Sequence, residues 1–238
     1  MASASPASRV TSLPISMASG ATGESDAKVS AGAPYGIEAR SGCHRLLIAG
    51  CHVHDMGAGG IRVGHDWMKD IRETSLHRTP PRPDGKPMAV TVSDCVIHAC
   101  GRLFPSGMGV WVGNAGGNRI VHNHIYDLPH TGISCGWSWG YQATATVDNR
   151  IEYNHVHHIN WDGGLSDNAG IYTLGAHPGG TIRGNLVHHV GYYGYGGWGI
   201  YPDEGTAGML IEDNVVFNTK GASFFTHYGR DNRVRNNI

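Results

Sequence analysis

The sequence has few charges, few phenylalanines and no long apolar run. Charged residues make up 16% of the 238, below the ~25% of an average globular chain. Lys+Arg number 18 against Asp+Glu 19, a formal net charge of −1. No basic field is present to neutralise phosphates, so nucleic acid is not an expected partner. The apolar runs fall far short of the ~18 residues that a membrane-spanning helix needs. There is no P-loop and no C-x-x-C pair. Nucleotide-binding and zinc-ribbon readings therefore have no motif to rest on. The five cysteines, Cys43, Cys51, Cys95, Cys100 and Cys135, cannot all pair, and most are expected to be small buried residues. Residues 1–34 are rich in Ser, Ala and Gly and lack a continuous apolar stretch. They read as a low-complexity segment and not as a signal peptide.

What the sequence has in excess is glycine and histidine, 36 and 16 residues. Glycine at about 15% is twice average usage, without the strict period of collagen. A template accounts for much of the pattern: an apolar β-branched residue, two variable positions, Asn or Cys, one variable position, then Ile or Val. It fits Ile48–Cys51–Val53, Val92–Cys95–Ile97, Ile120–Asn123–Ile125, Ile151–Asn154–Val156, Ile182–Asn185–Val187 and Ile211–Asn214–Val216, and it begins again at Val234–Asn237. Successive anchors lie 44, 28, 31, 31, 29 and 23 residues apart. Each unit also carries a glycine-bounded run, such as Gly60-Ile61-Arg62-Val63-Gly64 or Gly109-Val110-Trp111-Val112-Gly113.

Two short β-runs per unit leave no room for a crossover helix. Such a unit cannot bury its apolar face alone, whereas stacked copies can. The expected fold is therefore all-β, a right-handed parallel β-helix of about seven coils over residues 35–238. The anchor Asn is expected to bond to its counterpart in the next coil and to take the left-handed corner conformation itself. An antiparallel sandwich is the alternative, but the Asn-Gly and Asp-Gly turns it needs are rare: Asp84-Gly85 lies in a Pro-rich stretch and Asp162-Gly163 in a loop. Because the last repeat begins at Val234, the sequence reads as a piece of a longer protein.

Strand alternation assigns directions. In the glycine-bounded runs Ile61, Val110, Ile133, Ile171, Ile200 and Phe224 should point into the core. Arg62, Trp111, Ser134, Tyr172, Tyr201 and Phe225 should form an outer column, with Gly64, Gly113, Gly136, Leu174, Asp203 and His227 as a second. Aromatics beside a carboxylate and an imidazole suit a groove for sugars, with Trp137, Trp139 and Trp198 adjoining; the competing expectation is that loops cover the stripe and make it a second core. Glycosidic cleavage needs two carboxyl groups flanking the bond. Asp167 with Asp203 is the first pair, and Glu204 can substitute for either. Strict register sets Asp167 opposite Gly196, so the two aspartates meet only if the chain folds back at Asn168-Ala169-Gly170. Asp203 and His227 should lie in contact.

His54, His98, Tyr126, His157, His188 and Phe217 each follow an anchor by three residues and read as a structural stack. His157-His158 and His188-His189 have the chemistry to hold a metal where columns adjoin, but no spacing matches a closed site and no metal or cofactor is expected. His130 is off this column and is a candidate sugar contact, as is His227. Arg183, Lys220 and Arg230 are the bases a polysaccharide lyase would need.

The run Gly57 to Gly64, the run Gly132 to Trp139, Leu165-Ser166-Asp167-Asn168-Ala169-Gly170-Ile171-Tyr172-Thr173-Leu174-Gly175, Gly197-Trp198-Gly199-Ile200-Tyr201-Pro202-Asp203-Glu204-Gly205 and His227-Tyr228-Gly229 together resemble a bacterial family. It comprises right-handed parallel β-helix proteins similar to glycoside hydrolase family 141, which includes α-L-fucosidase and xylanase activities. The resemblance covers roughly residues 35 to 238. It implies catalytic aspartates at Asp167 and Asp203 and an extracytoplasmic or secreted protein that degrades plant glycans. Ala169 and Thr226 depart from the family pattern. The expected function is thus hydrolysis of a plant-type polysaccharide or oligosaccharide, against a non-catalytic carbohydrate-binding or surface solenoid and, third, a lyase. The sequence leaves open the sugar, its linkage and the oligomeric state.

Overall fold

A computed structural model of the chain describes residues 35–40, 42–64 and 88–238, with the backbone of Lys28–Val29. The rest of the low-complexity segment and the stretch holding Asp84-Gly85 lie outside the described residues. The described chain winds through three sheets in every full coil. The first sheet contains Leu47–Ala49, Thr91–Ser93, Arg119–Val121, Arg150–Glu152, Thr181–Arg183, Leu210–Glu212 and Arg233–Arg235. The second contains His52–His54, Val96–His98, His124–Leu128, His155–Ile159, Leu186–Val190 and Val215–Thr219. The third contains the glycine-bounded runs Ile61–Gly64, Val110–Gly113, Ile133–Gly136, Ala169–Thr173 and Trp198–Pro202, preceded by Ile37–Ala39 and Lys28–Val29. Apart from Lys28–Val29 against Ile37–Ala39, the described strands pair in parallel. This excludes the antiparallel sandwich and establishes a parallel β-helix.

Three strands per coil, where two were expected, follow from the corner inside the template. In Ile120–Asn123–Ile125 the residue before the anchor, His122, takes φ 57° and splits the run in two. The same left-handed position falls on Asp94, Tyr153, Gly184, Asp213 and Asn236. The corner conformation therefore belongs to the residue before the Asn and not to the Asn. The reason is hydrogen bonding. Turning the chain one residue earlier aims the anchor amide inward, where Asn154 Nδ2 donates to Asn185 Oδ1 at 3.0 Å and to Ile120 O at 2.8 Å. Asn154 Oδ1 accepts from the Nδ2 and backbone N–H of Asn123, both at 3.0 Å. The ladder runs on through Asn214 to Asn237. Its buried backbone donors and acceptors are thus satisfied without water.

Inside the coils, like residues stack. Ile120, Ile151, Ile182 and Ile211 form one column, Ile125, Val156, Val187 and Val216 a second, and Ile61, Val110, Ile133, Ile171 and Ile200 a third. All belong to one buried cluster. Each such side chain contributes roughly 1.5–3 kcal/mol by burial, which the isolated unit would forgo. Phe224 departs from the inward expectation. It makes only an isolated bridge to Ile200 and is 38% exposed, because no described strand stacks beyond it.

Candidate active site

The third sheet sets the site, because its register turns sequence-distant side chains into neighbours. Tyr172 pairs with Tyr201 on adjacent strands. Their rings meet edge to face at 5.2 Å. Asp203 begins the turn after Trp198–Pro202 and is pinned by its backbone N–H to Thr173 O at 2.8 Å. Its two carboxylate oxygens have different partners. Oδ2 accepts from the Tyr172 hydroxyl at 2.6 Å, and Oδ1 lies 2.8 Å from His227 Nδ1. The Asp203 side chain is 11% exposed and that of His227 is 52% exposed, so the imidazole forms the solvent edge of a buried carboxylate. The expected contact between Asp203 and His227 is present.

Asp167 joins this environment by a different route from the one expected. Residues 169–173 are extended strand, and the reversal falls on Asp167 itself, at φ 58°. Its N–H bonds to Tyr195 O at 3.0 Å. Burial, then the charge of Asp203, raises its pKa above the ordinary carboxylate value, with His227 opposing. Burial and Asp203 likewise raise Tyr172 and Tyr201. The charge of Asp203 thus acts on Asp167 and on both tyrosines. Glu204 hydrogen-bonds to Tyr228 and so raises the tyrosine's pKa.

The expectation of an exposed aromatic stripe is corrected. Trp111, Tyr172 and Tyr201 are buried, at 3%, 9% and 3% exposure, and Ser134 is buried too. The column does point away from the helix interior, but a loop and its tryptophans lie over it. Ser134 leaves a gap that Trp137 fills by folding back, its Nε1 donating to Ser134 Oγ at 3.0 Å. Trp137 then bridges Trp111 at 6.2 Å and Tyr172 at 6.0 Å, with Trp139 edge-on at 6.1 Å. Arg62 closes the column over Trp111 at 4.7 Å. Gly205 permits the cover: at φ +79°, a Cβ there would meet Gly140 O at 2.1 Å. Tyr172 and Tyr201 form a second apolar cluster with Ala169 and Leu174, against which Trp137 and Trp139 pack, so these rings and the buried Trp111 are walls and supports more than open sugar platforms.

Aromatic surface does open near the carboxylates. Trp198 opens the strand Trp198–Pro202. It stacks on Phe225 at 4.6 Å and 10° and touches Tyr201 at 4.3 Å. Phe225 is 37% exposed, and Tyr195, which adjoins Trp198 at 6.3 Å, is 57% exposed. Tyr195 is missing from the sequence-derived candidates, although the run Gly191-Tyr192-Tyr193-Gly194-Tyr195 signals it. Asn168 is missing as well. Fully buried, it donates to Gly191 O at 2.8 Å and moors that run beside Asp167. His130 is largely enclosed, its Nδ1 has no partner, and burial pushes its pKa down to about 4. It sits near Ser166 and has no described contact with Asp203. Of the lyase bases, Arg183 is tied to Glu212, Lys220 to Trp161 O and Arg230 lies over Tyr141.

The expected histidine stack is present on the second sheet. His54, His98, Tyr126, His157, His188 and Phe217 lie ring on ring, with centroids 4.7–5.3 Å apart and planes within 16°.

Among curated proteins no sequence matches this chain. Among solved structures, one described as "Glycoside hydrolase" superposes with a TM-score of 0.65 at 23% identity, covering 85% of this chain and 34% of its own. The chain thus spans about a third of that neighbour, and the likeness concerns the fold. A family model described as "Right handed beta helix region" matches residues 21–198. That match takes in most of the sequence and supplies the hand of the coil: the chain belongs to the right-handed β-helix family.

Proposed function

We propose that the protein is a glycoside hydrolase in which Asp167 is the general acid and Asp203 the partner carboxylate. The observation that carries this reading is the pair of aspartates. Asp167 holds its proton more tightly than an ordinary carboxyl group because it is half-buried and faces the charge of Asp203, and each oxygen of Asp203 has a hydrogen-bond partner. A carboxyl group held protonated by its surroundings, beside a second carboxyl group, is what acid–base cleavage of a glycoside requires. In the proposed step, Asp167 gives its proton to the glycosidic oxygen as the bond to the anomeric carbon breaks. Asp203 either attacks that carbon, giving a glycosyl-enzyme that water later opens, or takes a proton from the water that attacks directly. A separation of ~5–5.5 Å between the carboxyl groups goes with the first course and ~6.5–9.5 Å with the second. Tyr172 and His227 orient Asp203, and Tyr195, Trp198 and Phe225 supply the sugar-facing surface. A plant-type polysaccharide or oligosaccharide, met outside the cytoplasm, is the substrate class proposed.

The test is turnover of a panel of aryl glycosides and xylans by the full chain and by Asp167→Asn and Asp203→Asn. The reading expects turnover in the parent and a loss of ~100- to 10,000-fold in each variant, with glycan affinity kept. Undiminished turnover in Asp203→Asn removes the role given to it. Glycan binding without any turnover favours a binding solenoid. Unsaturated, ultraviolet-absorbing products identify a lyase.

A further inference from the structure

The second sheet carries two outward columns of imidazoles, and the register offsets them diagonally. His124 pairs with His155 in one column, while Tyr126, His157 and His188 align in the other. Across the diagonal, His124 Nε2 lies 2.7 Å from His157 Nε2, and His155 Nε2 lies 2.8 Å from His188 Nε2. In each pair both rings turn the same nitrogen toward a shared space, where a single proton can serve two lone pairs. His124, His155 and His157 bring their ligand atoms within 4.8 Å of one another, and all three are half-buried.

We infer that His124, His155 and His157 form a binding site for a divalent transition ion of the zinc class, with His188 beside the open position. Imidazole nitrogens favour borderline ions of this kind over magnesium or calcium. At a metal–nitrogen distance of about 2.0–2.1 Å, tetrahedral ligands sit about 3.3 Å apart. The 2.7 Å pair needs to open by only about half an ångström, which small ring rotations supply. The outer nitrogens are already engaged. His157 Nδ1 lies 2.6 Å from His158 Nδ1 and His188 Nδ1 lies 2.6 Å from His189 Nδ1. A ligating histidine held through its other nitrogen in this way is oriented before the ion arrives. His158 reaches that position because it adopts φ 50°, which keeps two successive side chains on the outer face before Ile159 turns inward.

Sequence spacing does not reveal such a site, since its ligands come from successive coils, 33 residues apart for His124 and His157. The ion would fasten one coil to the next on a wall different from that of Asp203. It is independent of the glycosidase reading.

The experiment is calorimetric titration of Zn²⁺ into the full chain, untagged and freed of metal by a chelator. One equivalent is expected to bind and to raise Tm. The His124→Gln/His157→Gln variant should lose at least tenfold in affinity, while His52→Gln, outside the cluster, should not. Failure of the parent chain to take up Zn²⁺ at submillimolar concentration overturns the site, and so does unchanged uptake by the double variant. Should the double variant not fold, the imidazole ¹⁵N resonances of the parent chain decide. Zn²⁺-induced shifts at His124, His155 and His157 uphold the site, and their absence overturns it.

Discussion

The Tyr172 hydroxyl donates to Asp203 Oδ2 at 2.6 Å across neighbouring strands, on the side of the carboxylate opposite His227. Its ring is meanwhile a member of the covered aromatic column. The residue thus joins the second apolar cluster to the carboxylate. Removing the hydroxyl alone separates the two roles. Tyr172→Phe keeps the ring and removes the donor. A hydrogen bond to a charged group contributes about 1.5–3 kcal/mol, so the variant is expected to lose about 2 kcal/mol in a urea melt and to turn over more slowly. Unchanged stability and kcat would show that the bond is idle.

Asp167 and Asp203 make a second, electrostatic prediction. The charge of Asp203 holds the Asp167 pKa up, so Asp203→Asn should lower it, read from the carboxyl ¹³C titration of Asp167. The sign for stability follows from linkage. A carboxyl group whose folded pKa exceeds its unfolded value stabilises fully below the unfolded pKa and loses that contribution as pH rises through the folded one. Asp167→Asn removes the titration. Relative to the parent it should therefore gain stability as pH rises above the ordinary aspartate value of about 4, even as turnover falls. An Asp167 titration that ignores Asp203→Asn would separate the two aspartates.

The Asn ladder predicts a graded loss. Asn154 makes four side-chain hydrogen bonds within the core, to Asn123 twice, to Ile120 O and to Asn185. Asn154→Ala strands several of these partners away from water, at about 1–3 kcal/mol for each group left unpaired. A drop of about 3 kcal/mol or more is expected. Asn237→Ala, which alters an exposed residue in only partly buried bonds, should fall by about 1 kcal/mol. Equal losses in thermal melts would argue against a ladder whose strength comes from burial.

Stacking was legible because it is periodic: the template that aligns Asn123, Asn154 and Asn185 in sequence aligns them in space. The histidine stack followed from the same arithmetic. Direction was legible too, since Tyr172 and Tyr201 do leave the helix interior. Cover was not, because it depends on residues with no period. The Trp137 ring replaces Ser134 in the column only through a loop that lies down on Gly205. The left-handed turn at Asp167 escaped for a similar reason, because aspartate in that conformation is chosen by local tertiary contacts and not by a repeat. Likewise, the contact between His124 and His157 exists only once two coils are in register.

Cover also divides the aromatic column into parts with different jobs. Trp111 is 3% exposed, beneath Arg62 and against Trp137, and Phe225 is 37% exposed, beside Trp198. Removing a buried tryptophan costs about 3–5 kcal/mol, and Trp111→Ala is expected to lose about that much in denaturant melts while the folded fraction binds glycan as before. Phe225→Ala removes little buried surface and should change stability by about 1 kcal/mol or less, yet weaken glycan binding severalfold, because an exposed ring beside Trp198 is where an apolar sugar face can rest. Affinity measured for both variants at matched folded fraction separates the two roles. If Trp111→Ala loses affinity and Phe225→Ala does not, the sugar surface lies over the covered column and not at its open end.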